Sequence, residues 1–133
     1  MLPWRGARGD RGVAGGLRLI GVVALLALGL IHLTLAPDYF LQANYIGVLF
    51  YAACAGAWAT ALLVAVGVRG GWAIGAAVAA GTMAGLLLAS TVGLPGFTDS
   101  LSAPHAVQSL IAEGSFLGAY LLATMARRSP WGV

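Results

Sequence analysis

The chain has 133 residues, of which 60% are hydrophobic and only 8% are charged, and its formal net charge is +3. A soluble domain of this length needs more polar surface than this composition supplies, so we expect an integral membrane protein without a separate soluble domain. The apolar runs are continuous and do not alternate in polarity, which excludes a transmembrane β-barrel.

Four apolar stretches have the length of about 20 residues that a helix needs to cross the hydrocarbon core. We predict an all-α, four-helix transmembrane bundle with up-down-up-down topology, whose helices span about residues 13–35, 44–68, 71–94 and 104–125. Residues 13–128 form a single transmembrane domain between a basic arm, 1–12, and a tail, 129–133. Proline cannot continue a helix by hydrogen bonding, so Pro37 is expected to end the first helix before a loop at Asp38, Tyr39 and Phe40.

Positive charge predicts the orientation. The chain has no lysine, and its seven arginines fall in the arm, the first helical turn, the second connection and the tail: Arg5, Arg8, Arg11, Arg18, Arg69, Arg127 and Arg128. The positive-inside rule therefore predicts a plasma-membrane protein with both termini in the cytoplasm. The basic charge is a topology signal and does not indicate a nucleic-acid partner.

The third helix is rich in glycine and alanine, with Gly71, Gly75, Gly81 and Gly85 in two small-xxx-small pairs. Such spacing lets backbones approach closely. We expect these glycines to pack against a neighbouring helix or against another membrane chain, either a partner protein or a second copy.

The fourth helix carries the only carboxylate inside an apolar segment, Glu113. At 100° per residue, His105, Ser109 and Glu113 share one face with Phe116. A carboxyl group at this depth is costly and commonly functional. Two interpretations stay open: a proton-coupling acid, or a side chain that holds helices together through hydrogen bonds to Thr82, Ser90, Thr91 or Tyr51.

Polar residues also gather at the predicted outer ends of the first and fourth helices. Imidazole and carboxylate together suit a transition metal, with candidate ligands His32, Asp38, Asp99, His105 and Glu113. His32 and His105 are also candidate axial ligands of a haem, or contacts of a quinone. The alternative is that both histidines are interfacial residues bonded to loop carbonyls.

The sequence offers no motif for nucleophilic catalysis or nucleotide binding, and its single cysteine, Cys54, rules out an internal disulfide. We therefore expect a non-enzymatic accessory subunit or scaffold with a polar His/acid pocket. The alternatives are a metal-ion or redox-cofactor binding protein and an oligomeric proton-coupled transporter that uses Glu113.

Two segments, Ile31–Asp38 and Ser90–Gly96, resemble the corresponding segments of small, uncharacterised four-helix bacterial integral membrane proteins. That resemblance covers most of the chain and implies no activity. Length and helix number are also similar to the small multidrug resistance transporters and the dual-topology fluoride channels. The transporters carry their essential glutamate in the first helix, where this chain has none, and the arginine bias opposes dual topology.

Overall fold

A computed structural model describes the backbone of residues 6–128 and the side chains of residues 11–128. It contains four α-helices, α1 (Gly6–Gln42), α2 (Asn44–Ala65), α3 (Gly71–Thr91) and α4 (Pro104–Arg128), and no strand within those residues. All four helices are long and apolar enough to cross a membrane. The predicted all-α, four-helix class is therefore confirmed. Residues 1–5 of the predicted arm and residues 129–133 of the predicted tail lie outside the described part.

The first helix is longer than the sequence predicted at both ends. It already includes residues 6–12, and it continues through Pro37 to Gln42, so the expected stop and loop at Pro37 were wrong. An internal proline costs a helix about 3 kcal/mol. Contacts beyond Pro37 offset that cost: Tyr39 is buried in a cluster with Ile46 and other apolar side chains, and Phe40 packs directly on Gly47.

A tight turn joins α2 to α3. The helix ends at Ala65, three residues before the predicted end, because Gly67 adopts a positive φ of 78°. The Gly67 N–H donates to the Val64 carbonyl at 3.2 Å and the Val68 N–H donates to the Leu63 carbonyl at 2.9 Å, which is a Schellman cap. Only glycine adopts this backbone conformation without strain, so the turn is set locally.

The main core lies between the helices and includes four fully or almost fully buried side chains, Leu25, Leu28, Val64 and Phe116. Helices that are consecutive in the chain contact each other, and α1 also contacts α4. Trp58 of α2 lies on Gly29 of α1 and donates its indole hydrogen to the Leu26 carbonyl at 3.2 Å. We call the end with Val66–Gly70 the turn end, and the opposite end, with the α3–α4 connection, the loop end.

The four glycines of α3 behave in two ways. A Cβ added at Gly71 would come within 3.0 Å of Leu63 and Val64 in α2, and one at Gly75 would collide with Phe116 in α4. These two positions are close-approach sites between helices, as their spacing indicates. A Cβ at Gly81 or Gly85 would meet nothing within 4 Å. Among the described residues no side chain packs on those two glycines, and their contact with another chain stays a prediction.

This difference predicts opposite responses to the same substitution in one helix. Gly75→Ala forces Phe116 and Thr60 to shift, and overpacking of this kind costs about 1–3 kcal/mol. Gly81→Ala adds a methyl group to open space and improves helix propensity, so it should leave stability unchanged or slightly raised. Thermal unfolding of the detergent-solubilised variants measures both. Equal melting temperatures for the two would show that α3 does not approach α4 as described.

Candidate functional site

A cavity of about 360 Å³ lies inside the bundle toward the loop end. All four helices and the α3–α4 connection contribute to its wall, which is mainly aliphatic and aromatic. Ligand cavities in proteins commonly begin at about 300 Å³ and combine apolar walls with a few polar groups. The polar side chains on this wall are His32, Thr82, Asp99, His105 and Ser109.

His32 is held by its own helix. Its Nδ1 lies 2.9 Å from the Leu28 carbonyl oxygen, one turn earlier in α1, and its ring packs on Phe50 with centroids 4.9 Å apart. A carbonyl oxygen only accepts hydrogen bonds, so Nδ1 carries the hydrogen. In the neutral imidazole, Nε2 then keeps a lone pair on the side of the ring away from the α1 backbone. His32 lines the cavity and is buried from bulk solvent.

Glu113 lies on α4 one turn after Ser109, on the side of the cavity toward the turn end. It is 0% exposed, and Ser109, which lines the cavity, donates its hydroxyl hydrogen to Oε1 over 3.1 Å. Its other oxygen, Oε2, has no hydrogen-bond partner among the described residues. Buried polar atoms of this kind are rare in folded proteins, and each calls for an explanation. Glu113 is therefore linked to the cavity through Ser109, without forming part of the wall.

Three side chains form a hydrogen-bonded group at the loop end, which we call the clasp: Tyr39, Asp99 and His105. The Tyr39 hydroxyl lies 3.0 Å from Asp99 Oδ2 and 2.7 Å from His105 Nε2, and Asp99 Oδ1 lies 3.2 Å from the same nitrogen. The clasp joins the end of α1 to the α3–α4 connection and to the first turn of α4. Asp99 and His105 are 10% and 30% exposed, so the group lies at the cavity mouth.

The cavity also opens sideways, between α2 and α3. Its wall includes four exposed residues, two from each helix: Leu49 and Ala52, and Ala77 and Gly81. The gap is bounded on one side by a contact between the two helices and on the other by a contact of α2 with the α3–α4 connection. Toward the turn end Gly75 approaches Thr60, and toward the loop end the Tyr45 hydroxyl donates to the Pro95 carbonyl at 2.6 Å. In a membrane-spanning bundle such an opening faces the lipid.

The residues predicted as metal ligands are only partly brought together. Asp99 and His105 are in contact, whereas His32 is bonded to Leu28 and Glu113 to Ser109. Asp38 is exposed on the last turns of α1. In residues 11–128 no group of three His, Cys, Asp or Glu side chains is placed to hold a metal ion. Both histidines do line one cavity, so their predicted proximity at one end of the bundle is found.

Tyr39 and Thr82 were not predicted to belong to this site in these roles. Tyr39 was expected in a loop, because Pro37 concealed the continuation of α1. Thr82 was predicted only as a possible partner of Glu113. It does face that carboxyl group, and its hydroxyl lies 3.1 Å from both the Val78 and the Ala79 carbonyl oxygens. The available signal was a pair of glycines near Thr82: Gly81 directly before it and Gly85 three residues after it. Small residues such as these leave space inside a bundle.

Comparison of the chain with protein-family models, with curated proteins and with solved structures gives no match.

Tyr39→Phe tests the clasp. The variant keeps the ring in its apolar cluster and removes the hydroxyl that bonds Asp99 and His105, so it should destabilise the protein by about 1–2 kcal/mol. Thermal unfolding followed by tryptophan fluorescence provides the measurement. Tyr51→Phe, on the exposed surface of α2, is the matched control and should leave the melting temperature unchanged. Identical unfolding of both variants would contradict the clasp.

Proposed function

We propose that this chain is a non-enzymatic, multi-pass plasma-membrane protein that binds a small, largely apolar molecule in the cavity between its four helices. The lateral opening between α2 and α3 carries this proposal. A cavity that is apolar, wide enough for a small molecule and open toward the lipid suits a ligand that is already dissolved in the membrane. The protein then acts as an accessory binding component for such a molecule, alone or with a membrane partner.

We further propose up-down-up-down topology with both termini in the cytoplasm. Opposed contacts support it: Phe40 of α1 meets Gly47 near the start of α2, and Arg18 lies beside Gly67 just after the end of α2. The ionisable side chains of the described residues also differ between the two ends of the bundle. Arg69 lies in the turn end, whereas Asp99 and His105 lie at the loop end, and a positive turn end belongs on the cytoplasmic side.

Single-cysteine labelling tests this orientation. In a Cys54→Ala background, Ser102→Cys in the α3–α4 connection should react with a membrane-impermeant maleimide added to intact cells. Ala126→Cys in the last turn of α4 should react only after the membrane is opened. Both positions are exposed, so differences in burial do not decide the result. Reaction of Ala126→Cys in intact cells would reverse the proposed orientation.

The observations favour the apolar-ligand proposal over a metal-ion site and over a proton-coupled transporter. A metal ion needs several ligands directed at one point, and the described side chains provide only the Asp99 and His105 pair, which is already bonded to Tyr39. A proton-coupled transporter needs Glu113 to communicate with one side of the membrane. The bond from Ser109 to Glu113 gives it a link to the cavity, so this alternative keeps one observation in its favour.

Filling the cavity should remove the ligand without unfolding the protein. Gly85→Leu places a side chain into the cavity from a position where a Cβ has no neighbour within 4 Å. Wild-type protein, purified gently from its native membrane, should release a reproducible organic-soluble molecule in mass spectrometry. The Gly85→Leu protein should release at most a tenth as much.

The matched control is Gly118→Leu, because a Cβ at Gly118 also has no neighbour within 4 Å and this glycine lies on the exposed surface of α4. It should retain the molecule at the wild-type level. Equal retention by both variants would mean that the molecule is bound elsewhere. Elemental analysis of the same samples tests the metal alternative: a stoichiometric metal that is lost in His32→Ala and His105→Ala would replace the present proposal.

A further inference from the structure

The proposed ligand can be defined further from the hydrogen bonds on the cavity wall. We infer that the cavity selects a lipophilic molecule whose polar head donates a hydrogen bond, such as a phenol or an alcohol, over the corresponding ketone or ether. This inference rests on the proposed function and adds the chemical class of the ligand. It follows from the hydrogen bonds that the polar side chains of the wall make within the protein, because these bonds already use their donor hydrogens.

His32 offers the cavity an acceptor. Its Nδ1 hydrogen is donated to the Leu28 carbonyl, so the remaining nitrogen, Nε2, is the one available to a ligand. In the neutral imidazole this nitrogen carries a lone pair and no hydrogen. The contact with Phe50 fixes the plane of the ring, so the lone pair has a defined direction.

The two hydroxyl groups on the wall have also donated their hydrogens to the protein. Ser109 donates to Glu113 Oε1 at 3.1 Å, and Thr82 donates to carbonyl oxygens one turn earlier in α3. A hydroxyl group has a single hydrogen, and its oxygen retains acceptor capacity after donating it. Ser109 and Thr82 therefore offer oxygen lone pairs to a ligand.

The clasp obeys the same rule. The Tyr39 hydroxyl donates its single hydrogen to Asp99 Oδ2, so the contact of 2.7 Å with His105 Nε2 requires that nitrogen to be the donor. The same N–H also faces Asp99 Oδ1 at 3.2 Å. The clasp thus uses the hydrogens of Tyr39 and of His105 Nε2 internally and leaves a carboxylate, an acceptor, at the cavity mouth.

Four side chains on the wall, His32, Thr82, Asp99 and Ser109, therefore present acceptors to a ligand. A ketone or ether oxygen placed among these four side chains would face lone pairs and find no donor among them, so it would gain no hydrogen bond from them. An anionic head would in addition meet the Asp99 carboxylate. A hydroxyl group supplies the missing hydrogen and can bond to His32 Nε2 or to a wall hydroxyl oxygen.

Three probes with one apolar body test the inference: an alkylphenol, its methyl ether and the corresponding alkyl phenyl ketone. Equilibrium binding is measured by native mass spectrometry of the full chain in lipid nanodiscs, with lipid partitioning corrected by empty nanodiscs. The phenol should bind roughly 3- to 10-fold more tightly than either analogue, which is the value of one hydrogen bond in a protein. Equal affinity of all three probes would overturn the inference and leave the apolar-ligand proposal intact.

Variants assign the preference to the wall. His32→Phe keeps a ring against Phe50 and removes the Nε2 acceptor, and Ser109→Ala removes a hydroxyl oxygen. At least one of them should reduce the preference for the phenol to less than twofold while the ether still binds. Thr124→Ala removes a hydroxyl of α4 that does not line the cavity and should keep the full preference. Unchanged preference in both cavity variants would overturn the inference, and failure of all three probes to bind would overturn the proposed function with it.

Discussion

The close packing of Phe116 on Gly75 sets the shape of this bundle. The phenyl ring occupies the place where any side chain at Gly75 would lie, it reaches Gly21 in α1, and it stacks on Trp72 with centroids 5.4 Å apart. One aromatic side chain thereby ties three helices together near the turn end. Helix association in lipid depends on such contacts, because the lipid chains are as apolar as the side chains they would replace.

Between this contact and the loop end, α3 has little side-chain volume to fill the bundle. Gly81 and Gly85 line the cavity, and Leu87 and Leu88 of the same stretch are exposed. A close-packed interior would need bulky residues at those two glycines. The cavity is therefore a consequence of the same glycine-rich composition that permits close packing about two to three turns earlier, at Gly75. Whether a glycine closes a gap or leaves one depends on what the facing helix supplies: Phe116 lies against Gly75, whereas no described residue comes within 4 Å of a Cβ at Gly81.

The sequence predicted the helix number, the close approach at Gly71 and Gly75 and the location of both histidines at one end, because these depend on apolar length, local spacing and polarity. It failed at Pro37, where local propensity favours a helix end and distant contacts of Tyr39 and Phe40 prevail. It also could not separate Gly75 from Gly81, since their sequence surroundings are alike and only the facing residues differ. The clasp was beyond prediction for a related reason: Tyr39 and His105 are 66 residues apart and meet only through packing.

The position of Glu113 connects the packing to the chemistry of the cavity. Phe116, one turn farther along α4, is fully buried and separates the carboxyl group from the turn end, while Ser109, one turn earlier, links it to the cavity. The hydrogen bond from Ser109 to Glu113 uses the Ser109 hydrogen, and so the buried acid helps to make the wall an acceptor. Lipid chains offer no partner to a hydroxyl group, and a donor dissolved among them gains a hydrogen bond on entering this cavity. The same step gives an ether or ketone no donor from His32, Thr82, Asp99 or Ser109, so the bilayer would increase the selectivity that we propose for the wall.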